Sequence, residues 1–234
     1  WAVEILDALG GQSPVHALTF DPAEAAEDGG YDRVLDRMVE ELSRLEGGAP
    51  PIFVGYSFGG TFAAHLAARA AQRGVEIGKI ISIDGPSPVH YVVPNPLRAD
   101  SADALRRQFY LHPAAPLTPD IHLIRATRAF PVVKQDRYMG WVPVSAGNLF
   151  RYEMDTYHGC FAKPLIAPRV AARIEAIASG RKAGGARVTP TLDVARIEWS
   201  NRVKAALLRE DTGGALCAVR DALPSAGPVP DHVA

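Results

Sequence analysis

The sequence is short of sulfur, of charge imbalance and of long apolar runs, and each shortage excludes something. Two cysteines occur in 234 residues, Cys160 and Cys217. They give neither a disulfide framework nor a zinc-ligand spacing, so a reducing cytoplasm is the expected compartment and no metal or redox cofactor is expected. Lys and Arg total 25 against 26 Asp and Glu, a net charge of −1. No overall field therefore exists to gather nucleic acid or an anionic membrane. No apolar run reaches the roughly 20 residues that span a bilayer, and nothing at the N-terminus reads as a secretory signal. What is present, 47% hydrophobic and 22% charged residues, is an ordinary soluble globular composition. The length suits one α/β domain.

Trp1, Ile5 and Leu9 recur at steps of four and predict one helix face, which Gly10-Gly11 ends. Residues 14–20 read as a strand, 21–30 as a loop, and 31–45 as a helix with Val34, Leu35, Met38 and Leu42 as its apolar stripe. Ile52-Phe53-Val54 reads as a strand buried on both faces, and 79–83, 121–126 and 149–153 as further strands. Helices are predicted over 57–73 and 168–179. This alternation implies an α/β fold with a mostly parallel, doubly wound sheet. Prolines 86, 88, 94, 96, 113 and 116 break the rhythm, marking an insert over about 86–120 with one helical stretch at 101–110. The expected division is a domain over 1–179, then a linker (180–187) and a helical tail, together 180–234.

The informative segment is Gly55-Tyr56-Ser57-Phe58-Gly59-Gly60, a G-x-S-x-G pattern lying between a strand and a helix. A serine on so tight a turn is strained, and its neighbours must lack side chains; Gly55 and Gly59 meet that need, and Gly60 lets the helix start close to the sheet. The turn exposes the Ser57 hydroxyl and aims the Phe58 N–H at the place where an oxyanion would form. The plainer alternative is a packing turn with Ser57 as an N-cap.

A serine needs a base, and the base an orienting carboxylate. Asp84 stands at the end of the next buried strand, where ligands of open α/β sheets gather; an Asx-turn is its structural alternative. Of seven histidines, His158 alone follows the last predicted strand and precedes the closing helix, so it is the candidate base. His16, His65, His90, His112, His122 and His232 read as structural or surface residues. Cys160, two positions on, reads as a packed loop thiol rather than a second nucleophile.

Over about residues 1–179 the chain resembles the thioesterase domains of polyketide, nonribosomal-peptide and fatty-acid synthases, within the α/β-hydrolase superfamily. Gly55 to Gly60 looks like that family's G-[YWH]-S-x-G-[GA] elbow. The 27-position step from Ser57 to Asp84, Ile83-Asp84-Gly85 with Ser87-Pro88, and Gly140-Trp141 are similar to its pattern. The resemblance implies acyl transfer from the phosphopantetheine thioester of an acyl or peptidyl carrier protein to Ser57, then release by hydrolysis or cyclisation. It makes Ser57 nucleophile, His158 base, Asp84 orienter and Phe58 N–H an oxyanion donor, with no cofactor beyond the substrate's own pantetheine. It places a lid at 86–120, with Tyr56, Tyr91, Phe109 and Tyr110 at the acyl site; the lid's apolar residues serve equally as a satellite core.

Two departures stand out. Asp155-Thr156-Tyr157-His158 replaces the usual Gly-Asp-His, which makes Asp155 a stand-in acid of second choice. The family's upstream strand and loop, source of a second oxyanion N–H, have no counterpart before Trp1. One such donor is worth on the order of 2.7–4 kcal/mol. An oxygen-ester hydrolase and a non-catalytic acyl- or partner-binding domain are therefore alternative readings. Arg106-Arg107 reads as a carrier-docking pair or as a solvated basic pair. The tail residues Val194, Ile197, Trp199, Val203 and Leu207 suit packing on the domain, a homodimer through lid or tail, or contact with a neighbouring module.

Overall fold

A computed structural model describes residues 2–10, 14–45, 48–90, 109, 111–128, 136–181 and 183–208. Tyr91, Tyr110, Arg106-Arg107 and most of the expected lid helix lie outside the described residues, as do Cys217 and His232. The helices are α1 (Ala2–Leu9), α2 (Pro22–Ala26), α3 (Gly30–Ser43), α4 (Phe58–Gln72), α5 (Ala167–Ala178) and α6 (Val194–Leu208). The strands are β1 (Ile52–Tyr56), β2 (Lys79–Ile83), β3 (Asp120–Arg128), β4 (Leu149–Tyr157) and β5 (Ala186–Val188).

The five strands form one sheet in chain order, β1 to β4 parallel and β5 antiparallel to β4. Helices before β1, between β1 and β2 and after β4 cover the sheet on both faces, and alternation along each strand sorts the apolar side chains between them. On one face Phe53, Ile80, Ile121, Leu123 and Leu149 pack under α3 and α4. On the other, Ile81, Ile83, Ile124, Tyr152 and Met154 meet Ile5 of α1 and Val170, Ile174 and Ile177 of α5.

Three expectations are corrected. Residues 14–20 form no strand and are mostly exposed; among the described residues no strand lies beside them to take their backbone bonds, and an apolar run alone does not make a ladder. β1 is not buried on both faces: it pairs only with β2 among the described residues, and Val54 is 39% exposed. The expected linker contributes β5, which pairs Ala186 to Val188 with Arg151 to Leu149.

The tail helix packs back on the domain. Ile197 and Val203 of α6 are buried, the Asn201 amide bonds the Ala114 N–H and C=O, and Lys204 reaches inside. Its ammonium donates to the Pro88 carbonyl at 2.5 Å and the His112 carbonyl at 2.9 Å. Those carbonyls belong to the two ends of the 86–120 insert, so α6 holds both ends together. Burial pulls the Lys204 amine from 10.5 to about 7.

Lys204 belongs to a buried polar cluster. The Tyr31 hydroxyl and His65 Nδ1 are 2.7 Å apart, and the His112 ring lies edge-on to both. Across the sheet, His122 Nδ1 is 2.7 Å from the Tyr152 hydroxyl. Burial holds His65 well below the ordinary imidazole value and takes His112 and His122 each to about 4. In the unfolded chain these rings accept a proton near pH 6.5. Between 6.5 and about 4 the unfolded state therefore binds protons that the fold refuses, and stability drops as pH falls. The melting temperature should decline steeply through that window, and His122→Gln, which cannot titrate, should flatten the slope. A melting temperature level from pH 6.5 to 4.5 would contradict this account.

Candidate active site

Ser57, Asp84 and His158 each occupy the position just past the last residue of a strand: β1, β2 and β4 respectively. All three strands run parallel, so the residues gather at one edge of the sheet. Ladder pairing runs one rung beyond the strands and fixes two of them. The Ser57 N–H donates to the Ile83 carbonyl and the Asp84 N–H to the Ile124 carbonyl, both at 2.7 Å.

The chain must then turn sharply. Ser57 has φ 53° and ψ −120°, and Asp84 has φ 49°. Positive φ in a residue with a side chain is strained by about 1–3 kcal/mol and persists only where the surroundings enforce it. Enforcement is steric. A Cβ on Gly55 would stand 2.1 Å from the Gly59 carbonyl oxygen, one on Gly60 2.3 Å from Ser82 Oγ, and one on Gly85 2.1 Å from the Ser57 carbonyl oxygen. Gly59 itself faces open space, so the expectation that it must lack a side chain is corrected. The sequence marks Gly85 only as part of the turn after Asp84; its close approach to the Ser57 carbonyl is what the structure adds. The Phe58 backbone opens α4 beside Ser57, where first-turn N–H groups point toward the helix N-terminus.

Asp84 is nearly enclosed, with 9% of its side chain exposed, whereas the His158 side chain is 50% exposed. One carboxylate oxygen accepts from the Ala126 N–H at 3.0 Å, and the other lies 2.8 Å from His158 Nδ1. A histidine bound through Nδ1 to a carboxylate keeps Nε2 for proton exchange. Among the described histidines His158 alone bonds Asp84. His65 and His122 are buried, His112 and His90 are partly buried, and His16 is exposed outside any strand. Asp155 is not the acid: both its oxygens take hydrogen bonds from Arg128, at 2.6 and 2.7 Å.

The turn after Asp84 is fastened from several sides. Ser82 Oγ and the indole N–H of fully buried Trp141 both donate to the Gly85 carbonyl, at 3.0 and 2.8 Å. Thr61 Oγ1 donates to the Pro86 carbonyl, and Ser87 Oγ to that of Gly140. Gly140-Trp141 therefore braces the acid turn, a role that only tertiary structure reveals.

The acyl-site expectations fare differently. Phe109 is fully buried and packed against Phe58, Phe62, Tyr31 and Phe20, contacts that suit the satellite-core alternative. The Tyr56 ring lies against His158. Cys160 is a half-buried free thiol in the turn that His158 begins. Among the described residues no cluster of His, Cys, Asp or Glu could hold a metal ion, and no helix is long and apolar enough to cross a membrane. A cleft beside Gly74, Gly78 and Asp120 opens at the opposite end of the sheet, away from Ser57.

The arrangement offers a strained, part-exposed serine hydroxyl, an oriented imidazole and a buried carboxylate, the parts needed for acyl transfer. A family model described as "Thioesterase domain" matches residues 7–163, well over half of the chain. Among solved structures the chain is similar to the thioesterase domain SrfTE, which cyclises the lipopeptide surfactin, with 18% identity, 65% of this chain and 75% of that one covered, and a TM-score of 0.51. Human thioesterase 2 is 17% identical, over 61% and 79% of the two chains, with a TM-score of 0.49. The NocB thioesterase domain, solved as a covalent complex with a fluorophosphonate nocardicin G analogue, is 16% identical over 70% and 77%, with a TM-score of 0.48. At 18% identity the likeness to SrfTE is one of fold alone. No curated protein matches the chain.

The glycine geometry separates two substitutions that the motif alone treats alike. Gly55→Ala should lower stability by about 3 kcal/mol, the upper range for overpacking. Gly59→Ala, in open space on a helix, should be neutral or gain up to about 1 kcal/mol. Urea unfolding of the two variants checks both, and equal losses would refute the assignment of the tight contact to Gly55.

Proposed function

Because the chain belongs to the thioesterase-domain family, a family of hydrolase-fold enzymes, we propose that it is a serine thioesterase acting on an acyl chain carried by the phosphopantetheine of an acyl or peptidyl carrier protein. The observation that carries the serine mechanism is the 2.8 Å pairing of His158 Nδ1 with Asp84 at the sheet edge where Ser57 makes its strained turn. Family membership is what supports the thioester as substrate.

The Ser57 hydroxyl oxygen attacks the thioester carbonyl carbon while His158 Nε2 takes its proton. The resulting oxyanion lies toward the start of α4, where the Phe58 N–H donates to it. The tetrahedral intermediate collapses, the C–S bond breaks, and His158 returns the proton to the departing pantetheine sulfur. This leaves an acyl ester on Ser57 and a neutral His158. Water, or a hydroxyl or amine within the acyl chain, then attacks the ester carbonyl with His158 again as base; the C–O bond to Ser57 breaks and His158 returns the proton to the serine oxygen. Asp84 stays ionised throughout, holding the tautomer and stabilising the imidazolium.

Ser57→Ala and His158→Ala should each lower turnover of a carrier-bound thioester by at least about 10⁴-fold, and Asp84→Asn by about 10⁴-fold. All three variants should retain the wild-type circular dichroism spectrum. A fluorophosphonate should label Ser57, found by peptide mass spectrometry, and His158→Ala should abolish the label. An unlabelled, fully folded chain would overturn the mechanism in favour of an acyl-binding domain. Faster turnover of the matching oxygen ester than of the thioester would overturn the substrate class alone.

A further inference from the structure

We propose that Tyr56, the residue before the nucleophile, is a positioning residue that clamps His158. The phenolic hydroxyl donates to the His158 backbone carbonyl at 2.5 Å. The phenol ring also lies on the imidazole, with centroids 5.2 Å apart and planes 23° from parallel. The edge of Phe161 closes on the same tyrosine at 6.0 Å. The inference rests on the serine reading above.

His158 needs such a clamp. It is the first residue of a short 3-10 turn, His158–Cys160, and its side chain is half exposed. Nδ1 is tied to Asp84, but one bond leaves the ring free to swing about that contact. Tyr56 supplies two further restraints, one on the backbone and one on the ring face. It is itself anchored at the end of β1, one peptide bond from Ser57, so a single residue links nucleophile and base. Burial, reinforced by the nearby Asp84 and Cys160, raises the phenol above its usual value. The hydroxyl therefore remains a donor wherever the enzyme is folded.

The ring makes a second contribution. An imidazolium forms as Ser57 attacks, and a cation lying over the face of a tyrosine is stabilised by the ring quadrupole. The other titratable groups near this pair are Asp84 at the end of β2, Cys160 in the same turn, and Arg125 of β3, whose charge acts on Asp84. A change in the pH dependence of Ser57 labelling when the ring is removed reports its contribution.

The test uses the intact chain and a fluorophosphonate probe, whose reaction with Ser57 needs no knowledge of the acyl group. Its second-order labelling rate is measured from pH 5 to 9 per folded molecule, the folded fraction being taken from circular dichroism. Tyr56→Phe keeps the ring and loses the hydroxyl. It should label about 3–10-fold more slowly, with the pH midpoint unmoved. Tyr56→Leu loses both and should label about 10–100-fold more slowly, its midpoint moved to lower pH. Wild-type labelling by Tyr56→Phe overturns the clamp, and this variant decides even if Tyr56→Leu does not fold. An unmoved midpoint in folded Tyr56→Leu overturns the ring's contribution. If wild-type Ser57 itself does not label, the serine reading fails, and that outcome is distinct from failure of the clamp.

Discussion

The structure of the site depends on one extra rung of the parallel ladder. β1 and β2 end at Tyr56 and Ile83, yet the hydrogen bonding continues through the N–H groups of Ser57 and Asp84. Each bond holds its residue in the plane of the sheet while the chain beyond turns away with positive φ. Neither residue can relax without breaking a ladder bond, and neither turn can open while the glycines admit the opposing backbone. The sheet thus serves as a rigid frame, and the strain at its edge is confined to two residues.

A buried carboxylate is costly unless its lone pairs are engaged. Asp84 meets this demand with the Ala126 N–H on one oxygen and His158 on the other. The turn that follows is held by Ser82, Trp141, Thr61 and Ser87, side chains scattered from β2 to the segment before β4. Asp155, by contrast, sits in water with Arg128, where an ion pair contributes little. Burial and bonding set Asp84 apart from Asp155: one is enclosed and tied to His158, the other is exposed and tied to Arg128.

The elbow was legible in the sequence because its demand is local: glycine, serine and glycine between a strand and a helix can satisfy one geometry. His158 was legible from its place after the last strand. What the sequence hid is tertiary. Gly85 and Trp141 act on residues distant in the chain, and Gly59 matches the motif with no neighbour to require it. Tyr56 and Phe109 read as channel walls because aromatic residues near a nucleophile suggest an acyl site; the sequence could not show the internal contacts that each also makes. Residues 14–20 have strand composition without a strand partner, and β5 emerged from a Gly-rich stretch because β4 had an edge to fill. Composition predicts the propensity to pair, and pairing needs a neighbour.

The Lys204 clasp has a consequence in time. Its bond to the Pro88 carbonyl spans 116 positions, and closing so wide a loop costs chain entropy that only the finished domain can offset. During synthesis the sheet through β4 emerges first, with Ser57, Asp84 and His158 already in place. The bridge that Lys204 adds between the Pro88 and His112 carbonyls forms only once α6 has left the ribosome. A newly made chain therefore passes through a stage in which the strands that carry Ser57, Asp84 and His158 are complete and the Pro88 and His112 carbonyls are not yet bridged by Lys204.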